Sequence, residues 1–438
     1  VSGVRVVELL APARLGTSFR WLLASSWTTN LGDGLALAAG PLLVASQTRE
    51  PFLVALAALL QWLAPLLFAL VSGVVTDRVD RRRLVCVVDL VRASVLGVLT
   101  LSVVTGVVSI AVVLVALFCL ATAETFADNA SATLLPMLVH RDDLAVGNAR
   151  LQSGLITFNQ LAGPSLGAVF FAAGAAWPFA LQTLLVLAGA LLVLKVAVPT
   201  GEEPDEPATD LASVRHDLTE GLVWVWRHDA VRTLVLTILI FNVTFGAAWS
   251  VLVLWAQQRL GLGEAGYGLL ATLGAVGGLV GTGCYGWITR HVSLGDLMRI
   301  GLVVETLTHL VLALTTHVAV ALVVFFFFGM HAFIWGTTSI TVRQRAVPGR
   351  LQGRVGAVNL LGIYGGLVLG AGVGGALAQR FGVTAPFWFA FVGSAAFCVL
   401  IWRSLSHIAH ADAEPDRHTH TQPGGPDAPL DGDEAPAQ

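Results

Sequence analysis

Twelve long apolar runs constrain this chain more than any other feature. Between polar punctuation they span 18–46, 52–76, 84–106, 108–130, 150–173, 177–198, 231–258, 265–290, 295–315, 318–341, 351–378 and 384–404. A bilayer core takes about 20 apolar residues per helix, and within it each helix must satisfy its own backbone amides. The runs therefore predict an all-α membrane protein with twelve transmembrane helices. Hydrophobic residues make up 55% of the 438 and charged residues 12%, against about 25% charged in a soluble domain. That balance excludes a soluble enzyme as the default, and it is the opposite of what disorder over most of the length requires. The first run, interrupted by Asn30 and Asp33, is too long for a cleaved signal peptide.

Charge placement orients the spans. With both termini in the cytoplasm, the outer side holds only Arg49, Arg259 and Arg380. The cytoplasmic side holds every other Lys and Arg except Arg92, which lies within a span. Basic residues accumulate on the cytoplasmic side of membrane proteins, so this is the expected topology, in a bacterial cytoplasmic membrane. The formal net charge is −3, and the acids that produce it cluster between Pro199 and Asp210 and in the tail, leaving the membrane body basic. No Lys/Arg stripe interleaves with aromatics, so no nucleic acid is implied.

The longest internal polar stretch divides the chain into six runs plus six. The domains predicted are 1–198, a six-helix bundle; 199–230, a cytoplasmic linker; 231–404, a second six-helix bundle; and 405–438, a disordered acidic tail. Within the linker, Leu211, Val214, Leu218, Leu222 and Val225 fall at spacings of three and four, which predicts an amphipathic surface helix. The tail histidines (His407, His410, His418, His420) read as solvated residues rather than a metal site. The four cysteines sit inside apolar runs without a CxxC pair and are expected to be packing thiols.

The two halves match weakly. Asn30 and Asn242 lie 212 residues apart, Gly73 and Gly286 213, and Pro136 and Pro348 212, and LAGPSLGA (161–168) is echoed by LGAGVGGA (369–376). A duplicated bundle with parallel repeats implies alternating access around a central site.

The loop between the second and third runs reads Gly73-Val-Val-Thr-Asp77-Arg78-Val-Asp80-Arg81-Arg82-Arg83. It resembles the signature loop of the major facilitator superfamily, with Asp80 where that motif usually has Gly. NLGDGL (30–35) and ADNASATLLPMLVHRDDLAVGNA (127–149) resemble the branch holding the enterobactin exporter and macrolide efflux proteins. The resemblance implies the major facilitator fold: two pseudo-symmetric six-helix bundles, with runs 1, 4, 7 and 10 lining a cavity. It also implies a secondary transporter exporting a small amphipathic compound (a drug, siderophore or secondary metabolite) in exchange for protons, with no cofactor beyond the proton gradient. The partners expected are this substrate and the lipid bilayer, and a monomer is expected. Run 4 lacks the arginine of the usual proton-antiporter motif, and run 5 keeps only Gly163-Pro164-x-x-Gly167. The alternatives are uptake of a small metabolite and a non-transporting receptor or scaffold. With no P-loop and no metal or nucleophile constellation in the loops, neither an enzyme nor an ATP-driven pump is expected.

Gly73, Asp77, Arg78 and Arg81 of the signature loop form the candidate cytoplasmic gate. In the family's arrangement Asp77 faces the start of run 11, where a carboxylate gains from the helix dipole by about 0.3–1 kcal/mol. The alternative is that these arginines only orient the chain. The acids inside the runs are Asp33, Asp89, Glu124, Asp128 and Glu305. A charge at mid-bilayer costs about 2.5–3.5 kcal/mol on insertion scales, so it must be paired, protonated or facing water. Asp33, Glu124 and His331 are the proton-coupling candidates; the alternative for Asp33 is a helix–helix hydrogen bond holding run 1, and for His331 a hydrogen-bonded packing residue. Asp128 is read as an interfacial residue that caps a helix or pairs with a loop arginine. Asp89 with Arg92 (i, i+3) reads as a peripheral structural ion pair, and Glu305 with His309 (i, i+4) as a second peripheral pair or a proton relay. Trp27, Asn30, Phe241, Asn242, Phe245, Trp249 and Trp335 are substrate-cavity candidates, because an aromatic, sparsely polar lining suits a flat amphipathic ligand. Packing or lipid-facing aromatics are the alternative.

Overall fold

The computed structural model describes residues 12–198 and 211–402. The tail, its histidines and the acidic part of the linker lie outside them. Apolar composition and the need to close every amide inside its own segment make helix the only regular structure among the described residues. The helices are α1 (Thr17–Gln47), α2 (Pro51–Arg78), α3 (Arg81–Val104), α4 (Ile110–Leu138), α5 (Arg141–Ala173), α6 (Trp177–Val193), α7 (Leu211–Arg227), α8 (Asp229–Trp249), α9 (Leu252–Leu260), α10 (Glu264–His291), α11 (Leu294–Leu314), α12 (Val318–Ala346), α13 (Gln352–Phe381) and α14 (Ala385–Ile401). Among the described residues, nine helices are long and apolar enough to cross a membrane. α6 and α14 are apolar but only 17 residues each. α1 has 31 residues and carries Thr28, Thr29, Asn30 and Asp33 along its length.

Three elements depart from the expected spans. α4 continues through the polar segment 127–138, so Asp128 lies inside a helix and not at its edge. The seventh run breaks at Ser250–Val251 into α8 and α9. α5 contains a π-helical stretch, Leu155–Ala162, that ends where the Gly163 amide donates to the Phe158 carbonyl. Pro164 follows at once, and a proline has no N–H and clashes with the preceding turn of an α-helix, so a widened turn is a local way to admit it.

Helix pairing repeats across the molecule. In the first group α1 packs on α5 and α6, α4 on α2 and α3, and α3 on α6. In the second, α8 packs on α13 and α14, α12 on α10 and α11, and α11 on α14. Each pairing in one group has its counterpart in the other. The groups meet through α2 against α13 and α5 against α10, which are again equivalent under the same exchange.

Close backbone approach fixes the key crossings. A Cβ on Gly34 would stand 2.6 Å from the Phe158 carbonyl oxygen, and one on Gly167 2.2 Å from that of Leu35. In the second group a Cβ on Gly246 would meet the Leu367 oxygen at 2.7 Å, and one on Gly370 the Val243 oxygen at 2.2 Å. Gly34 and Gly246 are 212 residues apart, the same offset as Asn30 and Asn242. Small residues at four-residue steps let helices pack closely where lipid offers no hydrophobic drive.

Contacts between the groups gather at the arginine-poor end. There the Phe52 amide donates to the Gln379 side-chain oxygen at 3.3 Å, and Ala55 and Leu59 lie against Gly375 and Gly372. Ser165 and Thr272 share a hydroxyl hydrogen bond, and Val253 and Leu254 join the core formed by Ala38, Leu42 and Val44.

Candidate functional site

Two polar sites lie inside the apolar bundle, one in each group. The first is built around Arg92. α3 carries Asp89 and Arg92 one turn apart, and its packing on α4 and α6 turns both inward. Arg92 Nη1 donates to Asp89 Oδ1 at 3.1 Å, and Nη2 donates to Asp33 Oδ1 on α1. Gln182 on α6 passes over Gly32 and donates its Nε2 to the same Asp33 oxygen at 3.2 Å. Arg92 is 4% exposed, Asp89 2% and Asp33 13%. Glu124 and Asp128 on α4 close the site around a cavity of about 90 Å³ that also reaches Asn30 and Asn159. That volume has room for several waters.

The expectation for Asp89 and Arg92 therefore needs correction. They are not a peripheral pair. Arg92 is the hub of a site holding four carboxyls, and α3 supplies the cation that the fourth run lacks. Asp128 lies within α4 and lines the same cavity, with its side chain exposed. One guanidinium among four carboxyls leaves −3 when all are ionised. Negative charges gathered in one site repel one another and cost least when a cation stands among them.

The second site lies among α8, α11 and α12. Glu305 on α11 holds His331 Nε2 of α12 against its Oε2 at 2.9 Å, and His309 Nε2 lies 3.3 Å from its Oε1. His309 is fully buried, with Trp249 edge-on to its ring at 5.9 Å. Beside this triad opens a pocket of about 280 Å³ lined by Phe241, Asn242, Phe245, Phe328, His331 and Trp335 together with Leu302, Glu305 and Ala332. Phe245 stacks on Trp249 at 4.3 Å and on Phe328 at 5.9 Å, so Trp249 forms a second row behind the wall. Glu305 and His309 are thus not peripheral either, since Glu305 turns into the pocket. Asn30 and Asn242 each line their own site, and each donates Nδ2 to the carbonyl four residues back at 2.7 Å.

Trp27 does not line either cavity. Its Nε1 donates to the Arg150 carbonyl at 3.1 Å, its ring lies 5.5 Å from Phe158, and Gly154 is packed against it. It fastens α1 to α5.

The chain matches the family described as transmembrane secretion effector over residues 8–431. It belongs to this family of major facilitator superfamily transporters. The multidrug efflux pump Tap of Mycolicibacterium fortuitum is 26% identical over 385 residues, covering 84% of this chain and 90% of that one. Among solved structures, a point mutant of the nucleoside transporter NupG superposes with a TM-score of 0.70 at 10% identity, covering 90% of this chain and 100% of that one. A bacterial homologue of the iron transporter ferroportin, in an inward-facing state, gives 0.68 at 18% identity over 89% and 98%. These likenesses show the fold of a transporter, and the family is not one of enzymes.

In this transporter three residues of the signature loop contact their own group. Asp80, standing where the superfamily motif has Gly, accepts the Arg83 amide at 2.8 Å and caps α3, a role that glycine fills less well. Arg82 donates to the Val196 carbonyl at 3.0 Å, and Arg81 Nη1 lies 2.9 Å from Met137 Sδ. A Cβ on Gly73 would sit 3.6 Å from the Asn129 amide nitrogen, and Asp77 and Arg78 are exposed.

Two side chains central to these polar sites, Arg92 and Glu305, were read from sequence as members of peripheral pairs. The signal was present: each shares a helix face with a polar partner inside an apolar run, and such pairs face protein or water because lipid penalises them.

Proposed function

We propose that this protein exports small amphipathic compounds across the bacterial cytoplasmic membrane by alternating access, driven by proton entry. The basic end is cytoplasmic and both termini lie there. Residues 1–198 and 231–404 move as two bodies, with the Asp77 loop closing the cytoplasmic end. The observation that carries the reading is the Arg92 site: four carboxyls around one cation, beside a cavity of about 90 Å³, in a chain similar to a multidrug efflux pump.

The mechanism follows from charge. Asp33 and Arg92 join α1 to α3. A proton on Asp33, Glu124 or Asp128 removes a negative charge from the site and loosens the grip of the guanidinium, which changes the relative stability of the two arrangements. The aromatic pocket holds the substrate by area, with Asn242, Glu305 and His331 as orienting polar groups. A ligand shifts such a balance only by its differential affinity for the two states.

Everted vesicles offered a panel of drugs and siderophores at imposed pH gradients test this. Wild type accumulates at least one compound when the lumen is acid, and Asp33→Asn abolishes or sharply reduces the pH-driven part. Full pH-driven transport by Asp33→Asn would remove Asp33 as the coupling group, and gradient-independent traffic in the wild type would remove proton coupling altogether.

A further inference from the structure

The Arg92 site leaves the second cluster unexplained. Glu305, His309 and His331 do not touch that site, yet their carboxylate stands in the wall of the aromatic chamber. Two features restrict what this pocket can take. Its walls are π-faces: Phe245 and Phe328 stack nearly parallel, with 10° between their planes, and Trp335 and Phe241 flank them. The anionic group in its lining is Glu305, 10% exposed. His309 and His331 are the groups that act on that carboxylate electrostatically; α8 contributes Phe241, Asn242 and Phe245, all uncharged. With both imidazoles neutral the pocket carries −1. One proton brings it to zero, and a second brings it to +1.

We propose that this pocket binds a planar organic cation, and that the cation and a proton on the Glu305–His331 pair exclude one another. The inference rests on the export reading for the direction of transport, and it deepens that reading by giving the substrate a charge and a shape. A cation over aromatic faces gains from their quadrupole, more so when desolvated, and Glu305 supplies the counter-charge. His331 makes the site responsive, because its ring nitrogen faces the Glu305 carboxylate and an imidazole that takes up a proton becomes a cation. When His331 takes a proton, its 2.9 Å bond to Glu305 becomes an ion pair and the carboxylate no longer calls for a ligand cation. His309 is fully buried behind the carboxylate, with its Nε2 3.3 Å from the other oxygen. Buried Trp335 Nε1 has no hydrogen-bond partner, so a ligand that also bears an acceptor would be oriented as well as held.

The test is equilibrium binding to the purified full chain in nanodiscs, read by fluorescence anisotropy. The probes are ethidium, planar and cationic, and 1-pyrenemethanol, planar and neutral. Ethidium is expected to bind about ten-fold or more tightly at pH 8 than at pH 5.5, while 1-pyrenemethanol changes less than two-fold. Glu305→Gln should lose ten-fold or more of the ethidium affinity at pH 8 and abolish the pH slope, with partial rescue in Glu305→Asp. His331→Asn should keep the affinity at pH 8 and lose most of the slope. Gel filtration and melting establish that each variant is folded; if Glu305→Gln is not, the wild-type comparison of the two probes decides alone. Equal behaviour of the probes, or an unchanged slope in both variants, overturns the proposal. That outcome leaves vesicle export untouched, whereas absence of any export in vesicles with normal ethidium binding strikes the transport reading and not this one.

Discussion

Replacing Arg92 by glutamine removes the cation from the carboxyl cluster and leaves a shorter, uncharged polar side chain. Arg92 donates to Asp33 and Asp89 and is 4% exposed, and Asp89 is 2% exposed. Deleting one partner of a buried pair costs about 3–5 kcal/mol, because the charge left behind has no compensation. The chain can escape by folding with those carboxyls protonated. Each carboxyl that is neutral when folded and ionised when unfolded then costs about 1.4 kcal/mol per pH unit above its ordinary value near 4. At pH 5 two such groups cost about 3 kcal/mol together; at pH 8 that route costs more than leaving the charge unpaired. The loss in Arg92→Gln is therefore largest at pH 8 and shrinks toward pH 5, present at high pH and lost as pH falls. Thermal melting of detergent-solubilised wild type and variant between pH 5 and 8 measures it. Arg92→Lys should lie between them, since an ammonium keeps the charge but not the planar fork that reaches two carboxylates. An Arg92→Gln melting curve equal to wild type at pH 8, or a gap that widens toward acid, would refute the assignment of Arg92 as the hub.

Four further outcomes follow from particular contacts. Gly34→Ala brings a Cβ to 2.6–2.8 Å from backbone atoms of Phe158 and Asn159, so it should cost about 1–3 kcal/mol or more as overpacking. Gly283→Ala, with nothing within 4 Å, should be neutral in the same melting assay. Gly301→Ala places a Cβ 2.6 Å from Trp335 Cδ1; that ring can move, so the protein should fold while the aromatic pocket narrows and affinity for its ligand falls several-fold, measured by direct binding. Arg354 pairs with Asp217 at 2.8 Å and with Glu220, tying α7 to α13, so Arg354→Ala should speed limited proteolysis at α7 with little effect on melting of the bundle, since pairs this exposed contribute little to stability.

Much of the architecture could be read before any coordinates. Apolar run length determined where helices lie, usually to within a few residues, because a helix is the one way for such a run to close its amides in lipid. Arginine placement separated the two ends. The repeat offset near 212 was visible in Asn30 and Asn242, and the structure adds Gly34 and Gly246 at the same offset. Gly362, Gly366, Gly370 and Gly374 stand at steps of four in the sequence, a spacing that favours close crossings without naming their partners.

How each helix turns about its own axis was decided only by tertiary packing. A soluble helix advertises its buried face by its apolar stripe; here lipid and protein interior are both apolar, so the pattern says little about which face looks in. Asp89 and Arg92 could have been a surface pair until α3 was seen packed on α4 and α6, and Glu305 could have faced outward with His309 until α12 brought His331 to it. Trp27 looked like a cavity wall until the Arg150 carbonyl received its N–H. Length and composition determined that the chain crosses a membrane and roughly where; the rotation and crossing of helices decided which charges meet, because that depends on distances between segments far apart in the chain.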